Sequence, residues 1–272
     1  MSHDREERPV RRPGYRDIAA KIRDAIEAGE LQPGAALPTS KDLAKEHNVA
    51  PGTALQALRA LASEGYINLP PRKIATVRQR MGGRVIVRDR HAYRDEIGYF
   101  FDQNAKDWRA IGAPVRGFRV PPSRIADLLG VPRGEDVVVR DRGMGPADSK
   151  QPLQLATSYI PMPLAVEIPA LRAENPGPGG IYDRIEEHFG APLQWRETIS
   201  SRLPDEEEQM RLAVHASVPL LVVTRESRVR RGDEEVIAEV NETRMAAEQF
   251  AVSYTVERDT SAAWPREDRP VS

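Results

Sequence analysis

Apolar residues recur at Tyr15, Ile18, Ala19, Ile22 and Ile26, the spacing of one helical face, and Gly29 stands where such a helix would end. After a turn at Pro33-Gly34, Thr39 precedes a short stretch containing Leu43 and Ala44. Asp42 follows three residues behind Thr39, which predicts a capped second helix. His47-Asn48 reads as a tight turn, because Asn tolerates left-handed backbone. Pro51 suits the first position of a third helix, with Ala54, Ala57, Leu58 and Leu61 as its inner stripe and Gly65 as its end. Residues 66–69 and 74–78 then read as short strands around the turn Pro70-Pro71-Arg72-Lys73. Three helices and a hairpin within 14–80 predict a winged helix-turn-helix.

Beyond it the pattern changes. Gly82-Gly83 opens an expected linker over 81–113, which contains the aromatic stretch Tyr99-Phe100-Phe101 and Trp108. A second domain is expected over 114–258. Ser123 stands as a cap before Ile125, Ala126, Leu128 and Leu129. Val137-Val138-Val139 and residues 154–160 read as strands. Gly179-Gly180 opens a helix reaching Phe189, and residues 198–202 read as a further strand. Asp205 caps a helix to about Val214, and 220–230 with 236–245 form a strand pair across Gly232-Asp233. Helices and strands alternate without a βαβ rhythm, which predicts an α+β fold with an antiparallel sheet. A flexible arm (1–13) and a polar, disordered tail (259–272) are expected to flank the two domains.

Composition narrows the function. The chain has 272 residues, enough for two ordinary domains, and no cysteine, so disulfides, thiolate metal sites and cysteine catalysis are excluded. No run of eighteen apolar residues suggests a membrane span, and the opening MSHDREERPVRRPG has no apolar segment of the kind a secretory signal carries. Net charge is −1 overall, yet residues 1–80 carry 14 Lys and Arg against 10 Asp and Glu, so the head is basic and the body acidic. That asymmetry suits a nucleic-acid-binding head. None of the five histidines falls in a metal-ligand spacing, and neither a G-x-S-x-G elbow nor a phosphate loop is present. Neither an enzyme nor a cofactor or metal is expected.

The stretches YRDIAAKIRDAI, GELQPGAALPTSKDLA and ALRALASEGYI resemble the GntR family of bacterial transcription regulators. IADLLGVPRGEDVVVRDR, LATSYIPMPLA, GPGGIYDRIEEHFG and EVIAEVNETRMAAEQF resemble the effector-binding UTRA domain of its HutC subfamily, which is similar in fold to chorismate lyase. The resemblance implies a cytoplasmic, nucleoid-associated homodimer. It would bind a two-fold operator in double-stranded DNA and be released or engaged by a small-molecule effector. The head departs from the family where DNA is read: the usual S-R-x-T-V-R is here Ala50, Pro51, Gly52, Thr53, Ala54 and Leu55. The usual wing G-x-G-T-F is Lys73, Ile74, Ala75, Thr76 and Val77. Guanine is read most often by Arg, so the operator either differs or is contacted by other residues. Lys41, Thr53, Gln56, Arg59 and the wing pair Arg72 and Lys73 are the candidates, with Arg16 as a further phosphate contact. Gln56 can pair with adenine N6 and N7.

In the second domain, Arg140 and Arg142 alternate on one strand and so share a face, as do Glu239 and Asn241 on another. Arginines on a pocket face would clamp a carboxylate or phosphate; on an exposed edge they would be solvated. Ser158 and Tyr159 must point to opposite faces, and Tyr159 is a pocket or a core residue. Tyr182 is likewise open between pocket and core. Glu197 and Arg202 flank a strand as a possible ion pair. Gly180, after Gly179 at a helix start, leaves backbone N–H groups that attract anions. The family's hydroxyl residue there is missing, which argues against a sugar phosphate. The implied ligand is polar or anionic. Two alternatives stand beside a ligand-controlled repressor: a constitutive or plasmid-maintenance repressor with a vestigial pocket, and an enzyme of chorismate-lyase-like fold.

Overall fold

A computed structural model describes residues 13–78, 85–88, 91–94, 100–101 and 107–262. The expected arm up to residue 12, the Gly82-Gly83 pair, Tyr99 and the tail beyond Ala262 lie outside them. The chain divides into two compact units with a boundary at Arg84/Val85, and the first also takes in Leu203–Pro219.

The first unit contains α1 (Tyr15–Glu27), α2 (Ser40–Glu46), α3 (Pro51–Ser63) and a hairpin of β1 (Ile67–Asn68) and β2 (Thr76–Val77). Each helix start has a local cause. The Gly14 N–H donates to the Asp17 carboxylate at 2.7 Å. Thr39 Oγ1 accepts the Asp42 N–H at 3.3 Å. Pro51 occupies the first turn of α3, where its missing N–H costs nothing. Asn48, at φ 51, makes the left-handed turn between α2 and α3. Ile18 and Ile22 of α1, Leu43 of α2, Ala54, Leu58 and Leu61 of α3, and Ile67 and Val77 of the hairpin form one core. The strands are two residues each, shorter than expected, with Pro70 and Pro71 unable to donate ladder bonds beyond β1.

The second unit begins with β3 (Ile86–Arg88), β4 (Tyr93–Arg94), β5 (Phe100–Phe101) and β6 (Trp108–Arg119). All start inside the stretch expected to be linker. The first three are too short to show a period. In β6, Gly112 and Pro114 break the alternation of a largely exposed edge strand. There follow α4 (Ser123–Leu129), β7 (Val137–Pro146), β8 (Gln154–Ile160), α5 (Met162–Glu167), a 3-10 turn (Pro169–Arg172) and α6 (Gly180–Phe189). Then come β9 (Gln194–Arg202), α7 (Glu206–Leu212, within the segment grouped with the first unit), β10 (Leu220–Arg231), β11 (Glu234–Ala246) and β12 (Phe250–Val252). Ser123 is not a cap: the N-cap is Pro122, and Ser123 is the first helical residue. Asp205 does cap α7, with Glu208 N–H to Asp205 Oδ1 at 2.8 Å and Asp205 N–H to Glu208 Oε2 at 3.0 Å.

Six strands form one antiparallel sheet in the order β6-β7-β8-β11-β10-β9, giving the α+β fold. Helix α4 covers one face, burying Ile125 and Leu129 against Val137, Val139, Tyr159 and Val240. Helices α5 and α6 cover part of the other, where Ile160, Leu164, Leu171 and Ile185 meet Val138.

Candidate functional site

In the first unit, α2 and α3 pack through their inward stripes and leave one face of α3 outward. Along it, Gly52, Gln56 and Arg59 are exposed, while Thr53 and Leu55 are half-buried. Lys41 on α2 and Arg72 and Lys73 at the hairpin tip are exposed too, Arg72 in a left-handed conformation at φ 57. The N-cap of α3 is Ala50, and Thr53 lies within its first turn. Glu64, at the end of α3, pairs with Arg23 of α1 at 2.6 Å. Arg16 lies at the start of α1, its guanidinium over the Tyr15 ring and donating to the Tyr15 hydroxyl at 3.2 Å.

In the second unit, directly paired residues of neighbouring strands share a sheet face. The register therefore builds one polar row across six strands: Arg116, Arg140, Ser158, Asn241, Arg225 and Glu197. Two residues along each strand, Arg142 and Thr243 extend this face in one direction, and Glu239, Ser227 and Trp195 in the other. Arg140, Arg142, Glu239 and Asn241 thus converge on one face. Tyr159 does not join them. It pairs with Val139 and Val240 on the opposite face, in the apolar layer under α4. Parity decides this, since Ser158 takes the polar side. The same parity separates Glu197 from Arg202: Glu197 bonds Arg225 Nε at 2.8 Å, while Arg202 lies 3.8 Å from Glu242.

Hydrogen bonds order the polar row. Asn241 Nδ2 donates to Ser158 Oγ at 3.1 Å, and Thr243 Oγ1 donates to Asn241 Oδ1 at 2.9 Å. Arg140 donates to the carbonyls of Leu171 and Ala173 at 3.3 and 2.8 Å, anchoring the 3-10 turn. Tyr182 reaches down from α6 and donates its hydroxyl to Glu239 Oε2 at 3.0 Å. The Ser227 hydroxyl donates to the same oxygen at 2.7 Å. Glu239 is fully buried, and its Oε1 has no hydrogen-bond partner among the described residues. Burial, and then the Glu239 carboxylate, pushes the Tyr182 phenol well above its ordinary range. Tyr182 also packs on Trp195, with ring centroids 5.7 Å apart.

The helix start at Gly179-Gly180 forms as expected, with both glycines at positive φ. Its anion-attracting end is already served by the chain itself. The Asp183 carboxylate folds back so closely over Gly179 that a Cβ there would lie 1.8 Å from its oxygen. The Gly180 N–H donates to Gly177 O at 3.2 Å. The sequence signal was an acid in the first turn of α6, where it complements the helix dipole. A cleft of about 310 Å³ near the β10–β11 turn is lined by Gln194, Arg228, Arg230 and Asp233 among others, and by none of the residues of the polar row.

Two domain families match this chain. Residues 14–77 match the bacterial regulatory proteins of the gntR family, and residues 116–251 match the UTRA domain. The chain belongs to the UTRA-containing regulators of the GntR family. It is 25% identical over 224 residues to the HTH-type transcriptional regulator GgaR of Escherichia coli K12, covering 78% of this chain and 79% of that one. It is 24% identical over 226 residues to the HTH-type transcriptional repressor NagR of Bacillus subtilis, covering 81% and 86%. A solved GntR-family regulator shares the fold at a TM-score of 0.62 and 22% identity, covering 91% of this chain and 98% of that one. This GntR-family chain is accordingly a DNA-binding transcription regulator and not an enzyme.

Proposed function

We propose that this regulator is a cytoplasmic, homodimeric repressor. It binds a two-fold operator through α3 and the hairpin wing, and a small polar or anionic metabolite on the Arg140–Asn241–Glu239 face releases it. The observation that carries the effector half is the polar row itself. Three strands, β7, β10 and β11, place Arg140, Arg142, Arg225, Asn241 and Glu239 on one side of the sheet. A buried polar atom without a partner is costly, and Glu239 Oε1 is such an atom among the described residues. Glu239 Oε1 is an acceptor ready for a ligand hydroxyl or ammonium, and Arg142 is a half-buried guanidinium ready for an anionic group. The repressor sign agrees with the name of NagR.

Arg142 is a cleaner probe than Arg140, which also holds the 3-10 turn. Arg142→Ala is expected to abolish ligand release while changing operator affinity less than about twofold. A variant released as readily as the parent would remove Arg142 from the site. A second reading is a constitutive repressor, favoured by Asp183 filling the α6 end. A thermal-shift screen of anionic and neutral metabolites separates the two, because a bound ligand stabilises the folded state by mass action. Stabilisation by at least one compound, lost in Arg142→Ala, supports the regulated reading. No stabilisation by any compound supports the constitutive one.

A further inference from the structure

Helix α3 has an unusual outward surface for a helix that enters a DNA groove. Its first two turns present Ala50, Pro51, Gly52 and Leu55, which carry no side-chain donor or acceptor, beside the half-buried Thr53 and the exposed Gln56. Gly52 is open, with nothing within 4 Å of where a Cβ would stand. Leu55 is half-buried yet stands apart from the core that Ala54, Ala57, Leu58 and Leu61 build on the other side of the same helix. Arg59 stands four positions after Leu55, and Gln56 lies beside Leu55, so Gly52, Leu55, Gln56 and Arg59 form one outward ridge. Arg59 closes this ridge, and the other cations stand on neighbouring elements: Lys41 on α2, and Arg72 and Lys73 on the wing.

We propose that Leu55 and Gln56 determine operator sequence by reading A·T pairs, Leu55 packing on a thymine 5-methyl group and Gln56 pairing with an adenine. The inference rests on operator recognition through α3. In the major groove guanine offers two acceptors and calls for a donor such as Arg or Lys. Thymine offers a methyl group, and adenine an acceptor beside a donor. An apolar side chain is complementary to thymine alone. A carboxamide, with one donor and one acceptor, is complementary to adenine N7 and N6. The flanking Lys and Arg residues then hold the phosphates, which fix register but carry no sequence.

The test leaves the protein unaltered first. The full chain selects bound sequences from random duplexes, and each thymine of the enriched half-site is then replaced by uracil, which removes only the methyl group. At one position this is expected to weaken binding by about fourfold, the effect of exposing one buried methyl-sized group. In Leu55→Ala the same replacement is expected to make no difference, because the methyl has lost its partner. Leu55→Arg is expected to move the preference at that pair to guanine by about tenfold or more. An enriched site with G·C pairs at the positions facing α3 would overturn the inference. So would a uracil-containing site bound as tightly as the parent, or a uracil penalty that persists in Leu55→Ala. In those cases operator recognition itself stands. The absence of any enriched sequence would overturn both.

Discussion

Glu239 is a buried carboxylate held by two hydroxyls on one oxygen, with the other oxygen unpartnered. Removing one donor leaves the charge less compensated, so Tyr182→Phe is expected to lower stability by about 1–3 kcal/mol at neutral pH in urea unfolding. The Tyr182 phenol is raised in the folded state, chiefly by burial. The folded protein therefore keeps a proton that the unfolded chain releases above about pH 10. Stability from this group is complete below that pH and is lost as pH rises through and beyond it. The stability difference between the parent and Tyr182→Phe should accordingly shrink between about pH 9 and 11. A constant difference would mean that Tyr182 ionises as an exposed tyrosine does. Much of this was legible residue by residue: alternation placed Arg140 with Arg142 and Glu239 with Asn241 before any register was known. What alternation could not supply was the phase between strands. Tyr159 falls under α4, and Tyr182 meets Glu239 across 57 residues of sequence, a contact that only the helix-on-sheet packing creates.

Individual elements depend on a few local devices. Helix α2 has seven residues and one side-chain cap, so Thr39→Ala should cost about 1 kcal/mol in unfolding experiments. Gly179 is the firmest constraint on α6. Its φ is 76, and a Cβ there would strike the buried Asp183 side chain. Gly179→Ala is expected to destabilise by about 1–3 kcal/mol, measured by thermal or urea unfolding. An equal stability would mean that Asp183 does not close that helix end. The helices of the first unit were readable because caps, turns and apolar stripes agreed, as at Thr39, Asn48 and Pro51. Strands β3 to β6 were not, because two- and three-residue strands have no period and β6 is interrupted by Gly112 and Pro114. The six-strand order was equally hidden, since β8 pairs with β11 across a long connection.

At the scale of the whole molecule, the basic head and acidic body are expected to give DNA binding an electrostatic component. Operator affinity should fall steeply with salt, and Arg72→Ala and Lys73→Ala should each reduce the slope by about one unit. Gln56→Ala should instead weaken the enriched operator more than random DNA, because base contacts carry discrimination. An equal loss on both would deny Gln56 a reading role. The family was legible in the sequence of both domains, whereas the proposed ligand face emerged only when the sheet register brought the strands together. A two-fold operator requires two α3 helices about 34–36 Å apart, or a multiple of one helical turn, on one face of the duplex. The most direct test of a dimeric, operator-bound regulator is sedimentation velocity of the full chain mixed with its enriched operator at physiological salt. A single complex of two chains per duplex is the predicted result. One chain per duplex, or a ladder growing with DNA length, would contradict it.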